Sequence, residues 1–154
     1  AGPKDRAVVM AFHLALYRTH RDSVMPKALR PLVDYRDLEG VLREDVQAML
    51  TDRDTTVLLA MKDGEAVGYV TGHIENDPRR IAKRRGIMGD WYVEEKVRGE
   101  GVGKALVDKL EEVFREQGCD TFESATWAFN KGARKAHAAL GFHEIQIIYR
   151  KVLE

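Results

Sequence analysis

The chain has 154 residues, with 25 basic and 25 acidic side chains, 44% apolar residues and one cysteine. This length and composition predict a single globular domain over residues 1–154 whose core forms without a metal or disulfide. Cys119 has no intramolecular partner, which excludes a disulfide framework and favours a reducing, cytoplasmic location. No apolar run reaches the roughly 20 residues of a membrane helix, and balanced charge argues against bulk affinity for nucleic acid. We therefore expect neither a membrane nor a nucleic-acid partner.

The first half of the chain predicts two amphipathic helices followed by a hairpin. Apolar residues at three- and four-residue spacing indicate a helix over residues 5–20 and another that begins at Asp37. The segment 23–36 contains two prolines and predicts a loop with at most one helical turn. Asp63-Gly64 divides the β-rich stretch 55–75 into two runs, which predicts an antiparallel pair.

The second half alternates strands and helices. A strand is predicted over 87–94, a helix from 102 to the stop at 118, a strand over 122–127, a helix over 130–140 and a final strand over 144–153. This order implies an α/β fold with a mixed, mostly antiparallel sheet flanked by helices.

A glycine-rich stretch, 98–104, leads from a predicted strand into a helix, which is the arrangement of an anion site. A Walker A loop would need glycine at Arg98 and serine or threonine at Ala105, and a dinucleotide fingerprint would need glycine at Lys104 or Leu106. Both motifs fail. A turn that lets the helix pack closely on the sheet remains the alternative to a ligand site.

Two motifs resemble those of the GCN5-related N-acetyltransferases. Arg98-x-x-Gly101-x-Gly103 matches their Gln/Arg-x-x-Gly-x-Gly/Ala motif. Asn130-x-x-Ala133 with Gly141-Phe142 resembles their second motif, Asn-x-x-Ala-x-x-x-Tyr-x-x-x-Gly-Phe. The resemblance covers residues 90–142 in detail. It implies an acyl-CoA N-acyltransferase-like fold that transfers acetyl from acetyl-CoA directly to a primary amine of a small molecule or protein, and a homodimer, which is common among relatives.

By this resemblance, the residues that hold acetyl-CoA come from the end of the 87–94 strand, the glycine loop and the start of the 130–140 helix. They are Tyr92, Val93, Arg98, Gly99, Glu100, Gly101, Val102, Gly103, Lys104, Asn130 and Ala133. The loop would bind the pyrophosphate, and the backbone of Val93 would hydrogen-bond the pantetheine arm and the oxyanion. Asn130 would lie near the thioester.

Acetyl transfer needs a neutral amine, although a lysine-like amine has a pKa of about 10.4 in water, so a carboxylate must take its proton. Asp90 and Glu123 are the candidates on the predicted strands, and each is equally explained as a salt-bridged surface acid. His137 replaces the family's tyrosine and is the candidate acid for the departing thiolate. The alternative is a packed helix residue, with water protonating the thiolate.

The chain departs from the family pattern elsewhere too. The segment 1–5 resembles the one that follows the family's first strand, so that strand is expected to be missing or truncated. Ala125 stands where some relatives have a glutamate. These departures keep a non-catalytic acyl-CoA-binding regulatory module open as an alternative, and the glycine loop leaves a different nucleotide ligand as another. No metal site is expected, because the histidines lack metal-ligand spacing.

Overall fold

The computed structural model describes residues 1–153, in which the helices and the first four predicted strands follow the predicted order. The helices are α1 (Arg6–Thr19), α2 (Arg30–Val33), α3 (Leu38–Thr51), α4 (Val102–Glu116) and α5 (Lys131–Ala139). The strands are β1 (Thr55–Lys62), β2 (Glu65–Asn76), β3 (Arg84–Val93) and β4 (Thr121–Ser124). Short turns of 3-10 or π helix occupy Pro3–Asp5, His20–Val24, Lys27–Leu29 and Glu95–Val97.

The strands form one sheet in the order β1-β2-β3-β4, antiparallel from β1 to β3 and parallel between β3 and β4. Asp63 and Gly64 join β1 to β2 with φ values of 51° and 81°, as a type I′ hairpin turn requires. The predicted mixed, mostly antiparallel sheet flanked by helices is confirmed.

Helices cover both faces of the sheet because the strands carry apolar residues on both. On one face, α1 and α3 contribute Val9, Phe12 and Val46 to a cluster with Val57 and Tyr69. We call this the α1 face. On the opposite face, the α4 face, a second cluster consists of Val70, Met88, Leu106, Val107, Leu110 and Phe114. Side chains of β3 alternate between the two faces except at the register shift opposite Thr71, so Met88, Trp91 and Val93 lie on the α4 face while Tyr92 lies on the α1 face.

Two predicted strands differ from the structure. The strand predicted over 122–127 ends at Ser124, because the chain turns there and Asn130 N–H donates to Trp127 O at 2.9 Å. The final strand predicted over 144–153 is wrong for this structure. Within residues 1–153 no backbone partner meets the N–H and C=O groups of segment 143–153, which has no regular structure. The single domain over 1–154 stays a prediction.

Candidate active site

At the end of β3, β4 no longer pairs with it, and a gap opens beside the backbone of β3. Parallel pairing of the two strands stops at Ser124, while β3 continues to Val93. Glu94 N–H donates to Val67 O of β2 at 2.9 Å, so the alternation of an antiparallel ladder directs the N–H and C=O of Val93 away from β2, into the gap beside β3. Arg98 Nε donates to that carbonyl at 2.9 Å. The Val93 N–H faces the gap as a donor.

The loop between β3 and α4 contains a run of backbone N–H groups without acceptors. Within residues 1–153 no acceptor lies against the N–H groups of segment 99–104, and the first backbone bond of α4 joins Ala105 N to Gly101 O at 3.0 Å. Gly101 is the N-cap and has no side chain to cap them. The dipole of this 15-residue helix has its positive end at the same place. We call the free N–H groups of segment 99–104 the cradle. Together with the positive end of the α4 dipole, they suit the negatively charged oxygens of a phosphate.

Glycine conformation keeps the cradle open. Gly99 and Gly101 have φ values of 81° and 83°, a region that favours glycine, and a Cβ on either would meet nothing within 4 Å. Gly103 has another role, since a Cβ there would lie 3.2 Å from the Trp91 ring, whose Nε1 donates to Gly103 O at 3.2 Å. Gly103 therefore seats α4 on β3, and Val102 packs beside it against the α4-face cluster.

Charged side chains around the cradle are engaged within the protein. The Arg98 guanidinium lies 5.9 Å from the centre of the Tyr92 ring, besides its bond to the end of β3. Glu100 Oε2 lies 2.5 Å from the ammonium of the lysine that ends β1, and Lys104 Nζ lies 2.5 Å from Asp108. The anion site is consequently built from backbone groups more than from these side chains.

The predicted residues of the second motif form a connected group at the start of α5. Asn130 Oδ1 accepts from Ala133 N–H at 3.1 Å and caps the helix, and Ala133 O lies 2.6 Å from His137 Nδ1. His137 Nε2 lies 2.7 Å from the hydroxyl of Ser124, the last residue of β4. A carbonyl only accepts, so Nδ1 carries the proton of a neutral ring and Nε2 accepts from Ser124. Neutral His137 has no free proton to donate.

Asp90 lies on the α1 face of β3, in a cavity of about 270 Å³ between the sheet, α1 and α3. Its N–H donates to Thr71 Oγ1 at 2.8 Å, where β2 has an irregular register. Its carboxylate is only 15% exposed and lies 3.2 Å from His13 Nδ1. Asp45 and Asp52 also line the cavity, so three carboxylates face one space. The cavity consequently favours a cation.

His13 is the buried centre of this side-chain group, with 1% of its surface exposed. Its Nδ1 lies 2.8 Å from the Tyr69 hydroxyl, and its Nε2 lies 3.5 Å from Asp45. Burial, followed by the charge of Asp90, raises the pKa of both Tyr17 and Tyr69 well above the usual value of 10.0. Both hydroxyls therefore keep their protons and remain donors.

Glu123 lies apart from the other predicted catalytic residues. Its Oε2 is 2.6 Å from Arg85 Nη1, and Arg85 also pairs with Glu75 at 2.9 Å. Glu123 stands opposite Ile87 in the β3–β4 ladder, and it does not line the cavity that holds Asp90. The structure therefore brings His137 and the cradle to the β3–β4 gap, places Asp90 on the neighbouring face, and holds Glu123 in an ion-pair network.

Sequence reasoning missed His13, Tyr69 and Ser124. A detectable signal existed for His13, which falls at helical spacing among Val9, Phe12 and Leu16 and is therefore a polar residue on an apolar helix face. Nothing local distinguishes Tyr69 from other strand aromatics, because its proximity to Asp90 arises only from strand pairing and helix packing.

Comparison with known proteins adds independent findings. A family model described as the acetyltransferase (GNAT) family matches residues 17–142. An aminoglycoside N(6′)-acetyltransferase type 1 of Stenotrophomonas maltophilia is 31% identical over 122 residues, covering 77% of this chain and 80% of the relative.

Two solved structures share the fold. A Bacillus halodurans protein superposes with a TM-score of 0.83 at 18% identity over 99% of this chain and 97% of the other. An aminoglycoside N-acetyltransferase in complex with CoA has a TM-score of 0.75 at 22% identity, covering 98% and 91%. Over residues 1–153 the structure contains no helix with the length and apolar character needed to cross a bilayer.

Proposed function

This chain belongs to the acetyltransferase (GNAT) family and is an acetyl-CoA-dependent N-acetyltransferase, and we propose how its own residues divide the work of the transfer. The run of unpaired N–H groups over 99–104 carries the proposal. It binds the pyrophosphate of acetyl-CoA through backbone donors and the positive end of α4. A nucleotide without a thioester is disfavoured as the natural ligand, since the Walker A and dinucleotide motifs are both absent.

The pantetheine arm enters the gap between β3 and β4. The Val93 N–H faces this gap and donates to the arm or to the carbonyl oxygen of the acetyl group, where negative charge develops during attack by the amine. Asn130 and Ala133 fix the start of α5 at the other side of the gap. Arg98 and Glu100 hold the loop through their contacts with β3 and with the end of β1, and Lys104 pairs with Asp108 within α4, while the loop backbone contacts the ligand.

Asp90 accepts the proton of the amine, directly or through water. It is the best candidate because its carboxylate is shielded, lies on β3 three residues before Val93 and faces a cavity of the right charge for an ammonium group. His13 and the protonated hydroxyls of Tyr17 and Tyr69 surround the carboxylate and position it. We assign Glu123 to the ion pair with Arg85.

The departing thiolate takes its proton from solvent. Both nitrogens of neutral His137 are engaged, with the only ring proton held by Ala133 O, so the ring donates a proton at Nε2 only as an imidazolium. A thiol has a pKa of about 8.5, which makes thiolate a tolerable leaving group near neutral pH without a protein acid. We therefore propose that His137 positions Ser124 and α5 beside the gap.

The acceptor is an amine with several positive charges, such as an aminoglycoside. The three carboxylates Asp45, Asp52 and Asp90 around one cavity support a polycation, and the relatives that act on aminoglycosides support an amino sugar. The test is release of free thiol from acetyl-CoA with an aminoglycoside that carries a 6′-amine, against the same scaffold with a 6′-hydroxyl. Turnover with both, or with neither while simple amines react, would contradict this substrate class.

We also propose that the enzyme works in the cytoplasm as a homodimer. The single cysteine supports a reducing compartment, because Cys119 has no cysteine to pair with in the given sequence. Mass measurement of the intact protein from cells under thiol-blocking conditions should find Cys119 reduced. A mixed disulfide on most molecules would contradict the location.

A further inference from the structure

His13, on α1, has one ring nitrogen that the proposed mechanism leaves unused. The ring is 1% exposed, and its Nδ1 lies 2.8 Å from the Tyr69 hydroxyl and 3.2 Å from Asp90 Oδ2. Its Nε2 is also buried, yet no hydrogen-bond partner meets it within residues 1–153. A buried polar atom without a partner lowers stability, so its retention indicates a function beyond packing.

The unpartnered nitrogen faces a carboxylate on the neighbouring helix. Asp45 Oδ2, on α3, lies 3.5 Å from His13 Nε2, which is longer than an ordinary hydrogen bond but close enough to attract a charged ring. The side chain of Asp45 is 46% exposed, whereas that of Asp90 is 15% exposed. His13 therefore lies between two carboxylates, with one ring nitrogen toward each.

The contacts of the neutral ring place its proton on Nε2. Burial raises the pKa of Tyr69, so its hydroxyl keeps the proton and donates, and Nδ1 accepts. Tyr17, with its ring centre 4.8 Å from that of His13, is protonated for the same reason. The Nε2–H group points toward Asp45, which only accepts. In this form Nδ1 presents a lone pair to the carboxyl group of Asp90 and receives a proton from it.

We propose that His13 stores the proton that Asp90 removes from the amine, an inference that rests on Asp90 being the base of the proposed function. The amine N–H bond breaks and the proton binds Asp90. It then passes to His13 Nδ1, since imidazole is a stronger base in water than a carboxylate. The Nε2–H of the imidazolium donates to Asp45, whose charge stabilises it. After the acetylated product leaves, the proton returns through Asp90 to water in the open cavity.

The storage role is tested by removing the ring and supplying it again in two forms. His13→Ala in the full chain leaves a space of ring size that opens to the cavity, because His13 lines that cavity. Imidazole and pyrazole have the same size, but pyrazole is a far weaker base. We expect kcat of His13→Ala to fall about tenfold, a part of the roughly 10²–10⁴-fold that general-base catalysis contributes. Added imidazole should restore most of this loss, and pyrazole should restore none.

Equal restoration by the two azoles would overturn the proposal, because the ring would then only fill space and position Asp90. An unchanged kcat in His13→Ala, or no restoration by imidazole, would overturn it as well. Asp90→Asn separates this inference from the proposed function. If Asp90→Asn lowers kcat and His13→Ala does not, only the storage role fails, whereas full activity of Asp90→Asn overturns the base assignment and the storage role together.

A second pair of variants decides the question if His13→Ala does not fold by circular dichroism. Asp45→Asn removes the carboxylate beside Nε2, and Asp52→Asn makes the same change at a carboxylate that lines the same cavity but forms no ion pair with His13 within residues 1–153. Both should raise KM for a polycationic amine. Only Asp45→Asn should also lower kcat, by about fivefold, the upper end for a half-exposed ion pair. Equal kcat values in the two variants would overturn the proposal.

Discussion

The two faces of β3 carry different kinds of functional groups, namely backbone donors on the side of α4 and side chains on the side of α1. On the side of α4, the proposed acetyl-CoA site consists of backbone N–H groups over 99–104 and at Val93, placed by glycine conformation and a helix end. On the α1 face, the proposed acceptor site consists of side chains, with Asp90 among His13 and Tyr69. A backbone site tolerates most side-chain changes but not backbone strain, whereas the side-chain site depends on individual functional groups.

The largest effect is expected from removal of the carboxylate on the α1 face. Asp90→Asn keeps the size of the side chain and removes its ability to accept a proton at neutral pH. General-base catalysis typically contributes 10²–10⁴-fold, so kcat should fall by about that factor. The Kd for acetyl-CoA, measured by calorimetry, should stay within about twofold. Glu123→Gln is the matched control, and a larger loss of kcat there than at Asp90 would reverse the assignment.

Backbone strain in the cradle should produce the second-largest effect, and it should change the Kd for acetyl-CoA, which Asp90→Asn leaves nearly unchanged. Gly101→Val places a β-branched residue at a φ of 83°, which costs about 1–3 kcal/mol. Relief of that strain moves the N–H groups, so the Kd for acetyl-CoA should rise about 5- to 150-fold. Gly132→Ala, in α5 with ordinary φ, is the control and should leave the Kd unchanged. Equal affinity of both variants would mean that the loop backbone does not bind the cofactor.

The group that joins β4 to α5 should matter more for stability than for rate. His137→Phe removes two hydrogen bonds, to Ala133 O and Ser124 Oγ, and should lower the free energy of unfolding by about 1–3 kcal/mol. Ser124→Ala should cost about half as much. Urea denaturation measures both variants. A fall in kcat of more than tenfold in folded His137→Phe, with Ser124→Ala unaffected, would instead assign His137 as the acid for the thiolate.

The smallest effect concerns His20, in the π-helical turn after α1. Burial lowers its pKa below the ordinary 6.5, so below that pH the unfolded chain binds the proton more readily than the folded one. Stability due to the neutral ring is present above pH 6.5 and is lost as the pH falls. His20→Phe should therefore flatten the decline in unfolding free energy below pH 6.5, whereas His143→Gln, at an exposed position, should not. If the unfolding free energies of both variants declined equally as the pH falls below 6.5, burial of His20 would not be the source of this pH dependence.

The cofactor half of the site was more accessible to sequence reasoning than the acceptor half. Glycine at 99 and 101 followed by an amphipathic period specifies a local strand–loop–helix unit, and local geometry is what sequence pattern encodes. The group around Asp90 needs α1, α3 and two strands to meet, and no spacing in the sequence reports that His13 and Tyr69 converge. Glu123 and Asp90 looked alike as strand acids until strand register separated them.

The C-terminal segment 143–153 shows the same limit for the fold. Its apolar, β-branched sequence predicts a strand, but a strand forms only where a neighbouring edge supplies hydrogen-bond partners. Within residues 1–153 this segment has no such neighbour, and Arg150 donates to Leu32 O in α2. The strand prediction at 144–153 was therefore wrong, because strand propensity alone does not supply the pairing that a strand needs.

The division of labour between the two faces of β3 is tested most directly by following backbone amides while the ligands are added in turn. Amide NMR spectra, recorded first with CoA and then with an aminoglycoside added, report both faces in one experiment. We predict that CoA shifts the amides of Val93 and 99–104 strongly and those of Thr71 and Asp90 weakly, and that the amine then shifts the second pair. Strong shifts at Thr71 and Asp90 with CoA alone, and none at 99–104, would contradict the account.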